Sequence, residues 1–117
     1  MKLSIVAIAI TLASTSSALT KSEADSMHVA IKAVCPLLFQ DSYERQLLSE
    51  ENAHPSASQI HLAQVRELQR IIDETREQLS EARKENAAGV KVFRDNMKSD
   101  IDLGFCTTWQ SRHPEDF

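Results

Sequence analysis

From Val65 to Ala82 the buried-type positions fall at alternating spacings of three and four: Val65, Leu68, Ile72, Thr75, Leu79 and Ala82. Such a run winds into one stripe on an α-helix and does not fit a strand, whose faces alternate by two. Leu62 and Ile71 widen the stripe, and the other faces carry Glu, Arg, Gln and Lys, as a solvated helix surface does. The pattern predicts one long amphipathic helix from about Ala57 to Ala87. Ser56 with Gln59 forms the opening cap, and Gly89 is the expected stop, since glycine is the usual residue just past a helix C-terminus.

The rest of the chain agrees with a helical fold. Two glycines and three prolines in 117 residues cannot supply the turns of a sandwich or barrel, nor a glycine-rich phosphate loop. Thr20-Lys21-Ser22-Glu23 is a capping box that opens a first helix with Ala24, Met27, Ile31, Val34 and Leu38 on one face. Pro36 interrupts this run, so a kink is expected, or a break with a second segment reaching about Glu51. Residues 52–58 read as a loop. Val90, Phe93, Met97, Ile101 and Phe105 make the stripe of a third helix. From about residue 107 a polar tail is expected, with Trp109 tucked back on the bundle. The fold class is all-α: a small bundle of three to four helices around the long 57–87 helix.

Residues 1–18 read MKLSIVAIAITLASTSSA. Lys2, an apolar run of about 11 residues and small side chains at Ser16 and Ala18 are the pattern of a secretory signal peptide cut after Ala18. The run is too short for a spanning helix, which needs about 20 residues. Residues 19–117 are then a single secreted domain, extracellular, or periplasmic in a bacterium, with 12 basic and 17 acidic side chains. A chain of this sign has no attraction for nucleic acid or an anionic membrane surface. It carries no Asn-x-Ser/Thr acceptor.

Cys35 and Cys106 are the only cysteines, and an oxidising compartment makes them a disulfide. Counting supports an intrachain bond. With a first turn near His54, an antiparallel hairpin sets Cys35 opposite residue 73. With a second turn between Ala88 and Gly89, Cys106 comes opposite residue 71. A long helix running straight through Gly89 would carry Cys106 far beyond Cys35.

Patterns that would carry catalysis are weak. His28, His54, His61 and His113 include no His-x-x-x-His pair, so no metal site is expected, and no cofactor motif occurs. Arg66, Asp73, Arg83 and Arg94, spaced 7, 10 and 11 apart, are similar to the arginine-bearing first helix of the all-helical chorismate mutases over about 30 residues. That resemblance implies an anionic substrate held between arginines. The family's remaining catalytic acids and glutamine lie on later helices, and only 23 residues follow Arg94.

The expected function is therefore non-enzymatic: a secreted, monomeric helical protein that binds another macromolecule, as an effector or inhibitor directed at a host or competitor. The alternatives are a periplasmic immunity protein or small chaperone, a coiled-coil partner that oligomerises through the 65–82 heptads, and a small enzyme of chorismate mutase type. The long helix carries more apolar residues than one stripe needs, which places the expected partner surface along Leu68, Ile71 and the segment near Pro36.

Overall fold

The computed structural model describes residues 18–54, 56 and 58–117. The expected targeting segment, apart from Ala18, lies outside them. The described chain is helical: α1 (Lys21–Ala53), α2 (Gln59–Glu85), α3 (Ala87–Met97) and α4 (Leu103–Arg112), followed by a 3-10 turn at Pro114–Asp116. No strand occurs among the described residues. Cys35 and Cys106 form the disulfide, with Cα atoms 5.4 Å apart.

Helix α1 starts at the expected capping box. Thr20 Oγ1 accepts from the Glu23 N–H at 3.0 Å, and Glu23 Oε1 accepts from the Thr20 N–H at 2.9 Å. The helix then runs without a break through Pro36 for 33 residues. An interior proline forfeits one helical bond and costs about 3 kcal/mol. Here Pro36 and Lys32, whose carbonyl is freed, are both exposed, while Ala30, Ile31, Val34 and Cys35 are fully buried. The lost bond thus falls on the exposed side of α1, and packing on the opposite side holds the helix together.

α1, not the 59–85 helix, is the centre of the fold, since it packs on each of the other three helices and makes the most extensive of the contacts between helices. α2 is strongly amphipathic and opens at Ser58 rather than Ser56. Ser58 Oγ accepts from the His61 N–H at 3.1 Å, and Ser56 Oγ is taken by the Ser58 N–H. The helix does not stop at Gly89. It breaks at Asn86, whose Nδ2 donates to the Ala82 carbonyl at 2.8 Å, and α3 resumes at once. Facing pairs run from Glu51–His61 through Glu44–Thr75 to Ser26–Gly89, so α2 and α3 form one interrupted arm antiparallel to α1. Gly89 is buried where the arm meets α1. A Cβ there would lie 2.0 Å from the Ser26 carbonyl oxygen and 2.9 Å from Ala30 Cβ, so glycine serves a close approach of two helices.

The chain reverses ten residues later than expected. Lys98 takes the left-handed conformation at φ 61° and closes α3. Arg83 Nη2 donates to the Ile101 carbonyl at 2.9 Å, and Arg94 pairs with Asp100 at 2.7 Å, fastening the loop that follows. Asp102 caps α4 by accepting from the Phe105 N–H at 2.8 Å. Residues 107–112, expected as tail, belong to this helix. α4 carries Cys106 back to Cys35 and packs Trp109 against the core, as the sequence suggests. Met97 leaves the expected stripe and is exposed, while Val90, Phe93 and Ile101 join Ala30, Ile31, Val34 and the disulfide in the core.

This core lies at one end of the molecule. α4 packs on the first half of α1 and α3 beside it; Phe39 still meets Phe117 edge to face at 5.7 Å, and the rest of α1 runs on beside α2. The distal part is a two-helix arm, and two helices cannot cover each other on both flanks.

Candidate functional site

The interior of the arm sets polar groups beside buried Ile72. Glu44 is 6% exposed and Thr75 2% exposed. Thr75 Oγ1 donates to Glu44 Oε1 at 2.6 Å, and Gln40 Nε2 donates to Glu44 Oε2 at 2.9 Å. Further out, His61 Nδ1 lies 2.7 Å from Glu51 Oε1. These bonds fix the helix register, because a buried carboxylate left without donors is costly.

One flank of the arm carries two depressions that follow one another along α2 and together make its groove. Leu47, Glu50, Glu51, Gln64, Glu67 and Leu68 line a depression of about 340 Å³. Leu37, Ala82, Gln78 and the glutamates 74, 77, 81 and 85 line a second, of about 540 Å³. Ile71, half-buried, lies on α2 between them, three residues from both Leu68 and Glu74. The helix period thus sets leucine, isoleucine and alanine on the floor and glutamates along the walls. Seven glutamates line the groove. Arg70 bonds to Glu67 and Glu74, and Lys84 lies 3.8 Å from Glu81. Those two cations leave an excess of five negative charges.

Each residue of the expected partner surface can now be placed. Leu68 lines the first depression and Ile71 follows it on α2 between the two, and both are half-buried. Pro36 is exposed on α1 seven residues before Tyr43 and fourteen before Glu50, which lines the groove. Val29, Pro36 and Tyr43 recur every seven residues and form an exposed stripe on that side of α1, with Val29 57% and Tyr43 61% exposed. Periodicity in α2 alone could show half of this flank, while the α1 half required the helix to continue through Pro36. The glutamates read from sequence as an ordinary solvated face. What distinguishes them is that, among the described residues, they line depressions formed by α1 and α2 alone.

The arginines similar to those of the chorismate mutases are not gathered. Arg83 and Arg94 line one shallow depression with Ser80, Lys84, Ala87 and Val90, but Arg66 and Asp73 lie elsewhere on α2. The guanidinium of Arg83 is engaged by Ile101 and that of Arg94 by Asp100.

A second polar cluster closes the C-terminus, and no local pattern announces it, because His28 and Asp116 are 88 residues apart. Asp116 Oδ2 lies 2.8 Å from His28 Nε2 and accepts from Trp109 Nε1 at 3.0 Å. The bond with His28, assisted by that from Trp109, holds the Asp116 carboxyl below the usual carboxylate range against the opposing effect of burial. The Trp109 ring stacks between Phe105 and His113. His113, Glu115 and Asp116 offer ligand atoms within 4.8 Å of one another, but Asp116 already serves His28 and Trp109, so the cluster reads as a latch for the last turn.

Among the described residues, no helix is long and apolar enough to cross a membrane. No family model matches the chain, and no curated protein or solved structure matches it.

Proposed function

We propose that this is a secreted, non-enzymatic protein that acts by binding another macromolecule, and that the α1/α2 flank is its docking face. The observation that carries the reading is the two-helix arm. The core, the disulfide and α4 build a stable base at one end, and the arm extends from it with an uncovered, part-apolar groove. Isolated helical pairs gain little from covering only one side of each helix. This arm is held in register by buried polar bonds instead, which keeps its flank preformed. Secretion is supported by the signal-like residues 1–18 and by the disulfide. An effector or inhibitor directed at a host or competitor is the role that fits a small secreted binding domain.

Affinity capture tests the reading. Mature protein and an Ile71→Glu variant are immobilised and challenged with host, competitor and self extracts. The wild type should retain a partner that the variant loses, with the helical circular-dichroism signal unchanged. Equal capture by both would move the docking face elsewhere, and unfolding of the variant would return Ile71 to the core.

A further inference from the structure

We infer that the occupant of this groove is a basic amphipathic helix of a partner polypeptide. The inference rests on the reading of the α1/α2 flank as the docking face and adds the chemistry of what docks there.

The floor and the walls ask for different things. Leu37, Leu47, Leu68, Ile71 and Ala82 offer an interrupted apolar strip along two antiparallel helices. A third helix meets such a strip with side chains at i, i+3 or i+4, and i+7. From Gln64 to Glu85 the strip is about 30 Å long at the helical rise, enough for roughly five to six turns of a partner.

The walls select the charge. Seven glutamates face the strip, and the two nearby cations are already engaged. Low-dielectric walls focus the field of such a row, so the charges that flank the partner's apolar stripe must be Lys or Arg. A second copy of this chain is a poor occupant, since two such flanks would set glutamate against glutamate. An anionic lipid surface or a nucleic acid is repelled by the same row.

Binding of synthetic helices to the mature, disulfide-bonded protein decides the matter by fluorescence anisotropy. The probes are a labelled Leu/Lys amphipathic peptide of about 18 residues, a scrambled peptide of identical composition and a Leu/Glu analogue. The amphipathic Leu/Lys peptide should bind at least about tenfold more tightly than the scrambled one. The surface variant Glu77→Lys/Glu81→Lys should weaken it by about tenfold or more, and so should raising salt from roughly 50 to 500 mM. No binding, equal binding of the scrambled peptide, or equal binding of the Leu/Glu peptide would overturn the inference. Failure of the docking-face reading is distinguishable, because it shows as partner capture that ignores Ile71→Glu. A captured partner that depends on Ile71 but docks a neutral or acidic surface would overturn the basic helix alone.

Discussion

Replacing Gly89 by alanine should destabilise the protein, although alanine is the better helix former. Gly89 lies inside α3, where the exchange by itself would gain about 1 kcal/mol. The added Cβ, however, would sit 2.0 Å from the carbonyl oxygen of Ser26 and 2.7 Å from its carbonyl carbon. Real contacts of this kind do not fall below about 3 Å, so the α1 backbone must retreat from α3 by about 1 Å. A backbone atom cannot rotate away as a side chain can. Separation of the two helices would loosen Ala30, Val90 and Phe93 together. Overpacking costs about 1–3 kcal/mol, and a backbone clash belongs at the upper end. After the gain in helix propensity, the net loss is about 2 kcal/mol. At about 4–8 °C per kcal/mol for a domain of this size, Tm should fall by roughly 8–16 °C. Thermal unfolding followed by circular dichroism at 222 nm measures it. An unchanged or higher Tm would refute the close packing of α3 on α1.

Three further outcomes are expected. Cys35→Ser/Cys106→Ser opens a crosslink between positions 71 residues apart, worth about 4 kcal/mol in the chain-entropy account, so Tm should drop by well over about 10 °C, with non-reducing gels showing a monomer for the wild type. Thr75→Val removes the hydroxyl that donates to buried Glu44 and should cost about 1–3 kcal/mol by denaturant titration, most of which Thr75→Val/Glu44→Leu should restore. Asp116 has its folded-state pKa lowered, so its stabilising bond is fully present above the unfolded value of about 4 and is lost as pH falls through the still lower folded value. Near-ultraviolet dichroism of Trp109 should therefore hold from neutral pH down to about 4 and change below it, and Asp116→Asn should abolish that step.

The local signals that were legible are those in which one short segment sets its own structure. The Thr20/Glu23 box and the 65–82 stripe do so. The cysteine pair is long-range, and it was legible because two cysteines in a chain admit one intrachain pairing. Pro36 misleads because its cost is local, whereas the packing of Ile31, Val34 and Cys35 that outweighs it is tertiary. Gly89 misleads because glycine serves helix ends and close helix contacts alike, and only the position of Ser26 separates the two. The true reversal falls on Lys98, a residue type that seldom takes a positive φ and so gives no warning. Asp102 before Phe105 was a usable cap signal for α4. The disulfide pairing survives the misplaced turn because Cys106 is delivered by α4, not by a helix folded back at Gly89. Of the docking face, Leu68 and Ile71 follow from periodicity. The glutamate walls become a groove only once α4 is known to pack at the other end.

The claim that the α1/α2 flank is the docking face is tested most directly by site-specific photocrosslinking. A photoreactive residue at position 71 in the groove is compared with one at position 73, which is exposed on another face of α2. In the presence of the natural partner, position 71 should yield a crosslinked complex and position 73 should not. Crosslinking from position 73 with none from position 71 would contradict the account.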